Sequence, residues 1–127
     1  MNLDDKKYDT AQKELVEKGI QRGNFDEEQI ELIYSTLNNL NDFQINKFVN
    51  PKYNEHQMAE ILWGMAWNFT IDQLSIFADE KFNSSQMMVI RYCIDDGFTN
   101  EQIEYIANPK HDFIEMMDIK EKFKKGD

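Results

Sequence analysis

The sequence predicts an all-α fold: three tandem αα-hairpin repeats forming a short solenoid or compact helical-repeat domain, closed by N- and C-terminal capping helices. Three observations predict it. Three stretches of the chain align with one another at a spacing of 28 to 29 residues. Within each, apolar residues recur at helical and not strand intervals. Helix-start signals then fall at equivalent places in every copy.

Residues 1–24 lie ahead of the first copy, and roughly Tyr8 to Lys18 reads as a capping helix with Leu15 and Ile20 packing onto it. The copies occupy 25–52, 53–81 and 82–110. Phe25-Asp-Glu-Glu-Gln29-Ile30 matches Tyr53-Asn-Glu-His-Gln57-Met58 and Phe82-Asn-Ser-Ser-Gln86-Met87. Ile33, Ile61 and Ile90 match next, then Leu37, Met65 and Ile94. These positions make a longer first helix with apolar residues at i, i+3 and i+7. A shorter second helix carries Ile45/Phe48, Leu74/Phe77 and Ile103/Ile106. Each copy closes with Asn50-Pro-Lys52, Asp79-Glu-Lys81 or Asn108-Pro-Lys110. A half-copy over 111–127 places Glu115, Met116, Ile119 and Phe123 on the same lattice and forms the C-terminal cap. The whole is read as one domain, 1–127.

The starts are specified residue by residue. Asp26, Asn41, Asn54, Thr70, Asn83, Thr99 and Asp112 each precede Gln or Glu by three, the spacing at which both side chains satisfy free N–H groups of the first turn. A bulky residue ahead of each cap can meet the fourth helical residue as a staple, as in Phe82/Met87 or His111/Met116. Asn39, Asn68 and Gly97 stand where a left-handed residue closes the first helix. Thr36, Gly64 and Cys93 share a small-residue position of close helix approach. Lys120, Lys122, Lys124 and Lys125 complement the dipole of the last helix.

The pattern aromatic-x-x-x-Gln-Met-x-x-Ile-Arg is clearest as Phe82-Asn-Ser-Ser-Gln-Met-Met-Val-Ile-Arg91. With Gly97-Phe-Thr-Asn-Glu-Gln-Ile-Glu-Tyr-Ile-Ala-Asn-Pro-Lys110, it resembles the small acidic tandem helical-hairpin repeat proteins of Gram-positive bacteria and their phages and mobile elements. The resemblance spans roughly residues 25–123. It implies a fold and a genomic setting, and it offers no catalytic residues to carry over. At the arginine position this chain has Tyr34 in the first copy and Leu62 in the second.

Composition narrows the function classes. The net charge is −10, and nine of the ten excess negative charges fall within residues 25–110. Binding to phosphate needs cationic side chains, so direct nucleic-acid binding is disfavoured. The segments that would read DNA in a helix-turn-helix, 71–78 and 100–107, carry Asp72, Glu101 and Glu104 and no arginine. No apolar run reaches the length of a membrane span, and Met1-Asn-Leu-Asp-Asp-Lys-Lys has no apolar signal core, so the expectation is a cytoplasmic protein without membrane association. The single cysteine, Cys93, fits a reducing compartment and is assigned to packing. His56 and His111 have no His or Cys partner at ligand spacing, and phosphate loops and nucleophile elbows are missing. The expectation is therefore a non-enzymatic chain with no catalytic residues, no cofactor and no metal.

On a helical wheel of the second copy, His56, Glu60, Trp63 and Trp67 fall opposite the stripe of Met58, Ile61 and Met65. Equivalent positions elsewhere add Glu28, Leu32, Val89, Tyr92 and Asp96. An outward aromatic face with a charged rim has the composition of a protein interface. The predicted function is a protein-binding module whose partner is another protein with a basic surface. An inhibitor of a bacterial defence or nucleic-acid-processing enzyme, such as an anti-CRISPR protein, is one form it takes. The alternative is a structural or assembly protein that forms a homo-oligomer through the same stripe.

Overall fold

The computed structural model describes residues 25–36 and 50–126. Among these residues the fold is all-helical: α1 Glu27–Thr36, α2 Glu55–Ala66, α3 Ile71–Phe77, α4 Ser84–Asp95, α5 Asn100–Ile106 and α6 Phe113–Lys124. The expected capping helix at 8–18, the cap at Asn41, the stop at Asn39 and the pair Ile45/Phe48 lie outside the described residues. The chain divides into two compact units, Met1–Leu62 and Trp63–Asp127, with the division inside α2.

Helix starts follow from the capping residues. In the first unit the Asp26 carboxylate accepts from the Gln29 N–H at 2.8 Å while the Gln29 side chain accepts from the Asp26 N–H at 2.8 Å. Asn54 and Gln57 do the same at 2.8 and 2.9 Å. In the second unit Thr70/Gln73, Asn83/Gln86 and Thr99/Gln102 form the same reciprocal pair. α6 is the exception: Asp112 accepts from the Glu115 N–H at 2.8 Å, without the return bond. The other boxes join their cap to a neutral glutamine. At α6 the return bond would bring two carboxylates together, which repel.

The stops are equally local. Asn68 (φ 64°) and Gly97 (φ 82°) are left-handed. Each sits in a Schellman closure, with Phe69 N–H donating to the Gly64 carbonyl and Phe98 N–H to that of Cys93. The closing triplets are turns built on their first residue. The side chains of Asn50, Asp79 and Asn108 accept from the N–H of Lys52, Lys81 and Lys110 at 3.0, 3.0 and 2.9 Å.

A second role of the glutamines was not legible in the sequence. Beyond capping α1, Gln29 donates through Nε2 to the carbonyls of Pro51 and Tyr53. At the equivalent place in α4, Gln86 donates to the carbonyls of Pro109 (3.3 Å) and His111 (2.7 Å). Each glutamine thus fixes the turn that leads into a later helix.

Most of the periodic apolar positions are core residues, while Ile119 and Phe123 of α6 are half-buried. Ile30, Ile33, Met58 and Ile61 are buried in the first unit, and Met65, Met87, Ile90, Ile94 and Met116 in the second, with Leu74/Phe77 and Ile103/Ile106 from the short helices. In the second unit α4 packs against α3, α5 and α6, and α5 against α6. Gly64 marks a close approach: a Cβ there would lie 2.9 Å from Leu74 Cδ2 and 3.0 Å from Phe77 Cζ. No helix among the described residues is long and apolar enough to cross a membrane.

Candidate protein-binding surface

The second unit gathers an aromatic cluster around a buried cation. Trp67 follows the end of α2 and is half-buried, with its ring 6.0 Å from that of Phe69 in an edge-on contact. The Schellman turn at Asn68 fixes this placement, because it brings the chain back at Phe69. From α4, Arg91 sets its guanidinium 4.4 Å from the Trp67 ring centre and 4.9 Å from that of Tyr92. The Trp67 and Tyr92 rings are themselves 6.0 Å apart. Lys120 from α6 lies 5.6 Å from the Tyr92 centre and forms an ion pair with Asp96 at 2.9 Å.

Arg91 is buried, yet Tyr92 beside it is 41% exposed and Trp63 on α2 is 54% exposed. A guanidinium removed from water is held well by the negative faces of two rings. The rings are in turn clamped, which spares rotamer entropy in any later contact.

Of the residues expected on this face, Trp67, Tyr92 and Asp96 are brought together, and Trp63 is exposed. Val89 is a correction: it is 2% exposed and belongs to the core. The wheel assumed a single buried stripe, whereas α4 is flanked by three helices, so burial extends to Val89 while Tyr92 and Asp96 stay exposed. Glu28, Leu32, His56 and Glu60 belong to the first unit. Glu28 and His56 are exposed, His56 lying 3.6 Å from Glu55, while Leu32 and Glu60 are half-buried.

Sequence reasoning missed Arg91 and Lys120. The available signal was Arg91 itself, the one arginine beyond residue 22, placed on an apolar helix face of an acidic segment. Lys120 was assigned to the helix dipole; it holds Asp96 and Tyr92 instead, leaving Lys122 and Lys124 in the last turn.

Cys93 is buried, and desolvation pushes its thiol up to about 11, against the pull of Lys120 and Lys124. The ring of His111 lies 5.9 Å from that of Tyr105. Among the described residues no three His, Cys, Asp or Glu side chains are grouped to hold a metal. No family model, curated protein or solved structure matches the chain.

Proposed function

We propose that this chain is a non-enzymatic protein-binding module built of tandem αα-hairpin repeats with capping helices at both ends. Its aromatic face, centred on Trp63 and Tyr92, engages another protein. The observation that carries the reading is the exposure of those two rings beside Trp67, itself held by Arg91. Large aromatic side chains on a pre-ordered support are the residues that dominate interface energetics. The surrounding chain is acidic, with a net charge of −10, so the partner is basic and its approach is steered by opposite charge. A nucleic-acid-processing enzyme has such a surface. Occlusion of a basic channel in a bacterial defence enzyme, in the manner of an anti-CRISPR protein, is the specific form we propose, acting in the cytoplasm.

The test is a Trp63→Ala/Tyr92→Ala variant compared with the parent chain in capture of basic proteins from a bacterial lysate. Trp63 is 54% and Tyr92 41% exposed and neither belongs to the core, so helical circular dichroism should be retained while capture falls about thirtyfold or more, the loss of roughly 2 kcal/mol that marks an interface anchor. Equal capture by variant and parent would sink the reading. A change from dimer to monomer on light scattering would instead identify the face as a self-association surface.

A further inference from the structure

One side of α6 differs from the same side of each first helix before it. Phe113, Ile114 and Met117 are 40%, 58% and 48% exposed. They share an arc of about 100° on the helix, turned away from Ile119 and Phe123. In the repeat register the equivalent residues are Glu27, Glu28 and Glu31 in α1, Glu55, His56 and Ala59 in α2, and Ser84, Ser85 and Met88 in α4. A side that is charged or polar in the first copies has thus become fully apolar in the last. Local folding does not account for the change. Capping at this turn uses Asp112 and the Glu115 N–H, and core packing uses Met116. Three large apolar side chains grouped in water mark a contact surface.

We propose that α6 is a homodimerisation surface, pairing antiparallel with α6 of a second copy across a two-fold axis. Charge selects this occupant. Residues 63–109 carry seven acids and two bases, a surface on which copies repel; residues 110–126 carry four acids and five bases. Around the apolar patch the exposed charges are Lys110, Asp118, Glu121, Lys124 and Lys125, of both signs. A partner of one sign would meet its own charge along part of that rim. A second copy meets the opposite sign, provided the helices run antiparallel. Parallel pairing would set Glu121 against Glu121 and Lys124 against Lys124. Antiparallel pairing with Ile114 opposite Met117 brings the apolar residues together and leaves Lys110 level with Glu121 of the other copy. The two-fold repeats that ion pair at the opposite end. Three apolar side chains per copy make a small interface, so the dimer is weak and its population follows concentration. The inference is independent of the Trp63 and Tyr92 face.

The test is sedimentation of the full chain over a concentration series reaching hundreds of micromolar. The expected result is a monomer that converts to a dimer as concentration rises. An Ile114→Asp/Met117→Asp variant, altered only at exposed positions, should keep its helical circular dichroism and stay monomeric throughout. Lys110→Glu and Glu121→Lys should each weaken self-association about tenfold, since each turns both ion pairs into repulsions. Mixed together, these two variants should recover parental affinity, because each then offers the other the opposite charge at both ends. The Trp63→Ala/Tyr92→Ala variant should dimerise as the parent does, which separates this surface from the aromatic face. A chain that is monomeric at every concentration overturns the proposal. So does a dimer that survives the two aspartates, one lost with Trp63 and Tyr92, or a mixture that associates no better than its separate components.

Discussion

Arg91 is 5% exposed, and its guanidinium lies against two ring faces. The equivalent residue in the preceding copy, Leu62, is buried at 5%, so the position is interior in both and only its chemistry differs. A lysine there keeps the charge but loses the planar stack. Arg91→Lys should therefore lower unfolding stability by about 1 kcal/mol in urea titration. It should also shift Trp67 emission to the red when read in a Trp63→Phe background. Cys93 offers a second residue-scale test. Its thiol is raised to about 11 in the folded chain by burial, above the ordinary value that holds on unfolding. The unfolded chain thus releases the thiol proton first, and it is favoured as pH climbs. Stability should be unaffected by this group below pH 9 and fall between pH 9 and about 11. A Cys93→Ala variant should lack that part of the decline, measured by urea titration across the same pH range.

At the scale of elements, the legible features are those whose physics closes within a few residues. Asn83 and Gln86, or Thr99 and Gln102, are three apart, so the capping boxes could be read from spacing alone. Asn68 and Gly97 announce their left-handed turns by residue type. The second bond of Gln86 was hidden because its acceptors are the carbonyls of Pro109 and His111, and backbone acceptors leave no mark in a sequence. Val89 was misplaced for a related reason: a wheel knows one helix, not the others packed around it. The Arg91 stack was hidden because Trp67 belongs to the preceding copy. The glutamine clasp has a direct test in Gln86→Glu, which removes the donor and turns a carboxylate toward two carbonyls. At neutral pH the cost should be about 1–3 kcal/mol. A carboxyl in that setting has its folded pKa raised, so stability should partly return as pH falls and it regains a proton. Urea midpoints near pH 7 and pH 4 measure both parts. Equal midpoints for variant and parent at pH 7 would show that the clasp contributes nothing.

At the scale of the whole molecule, an array of hairpins must end on a helix whose outer side tolerates water. On the repeat reading proposed above, α6 does this by substitution at the positions that α4 turns toward its successor. Gln86, Val89 and Cys93 of α4 are buried, and their equivalents in α6 are Glu115, Asp118 and Lys122, all exposed. Glu115 keeps the capping bond to Asp112 while lacking the amide donor through which Gln86 holds the following turn. The same helix covers α4: Lys120 and Lys124 lie close enough to act on the Cys93 thiol, and Lys120 reaches Asp96. Removal of residues 111–127 should therefore act on α4 before anything else. It takes away an acceptor of Gln86 at His111 and bares the side of α4 that carries Val89 and Cys93. Cys93, inert toward a thiol reagent at pH 8 in the intact chain, should then react at a rate near that of the urea-unfolded protein, with its apparent pKa returning toward the ordinary thiol range. A Met116→Asp variant, which places a charge at a fully buried contact of α6, should give the same exposure in a chain of full length. If Cys93 stays protected in both while circular dichroism remains helical, α6 is not the cover of α4, and the capped-array reading fails with it.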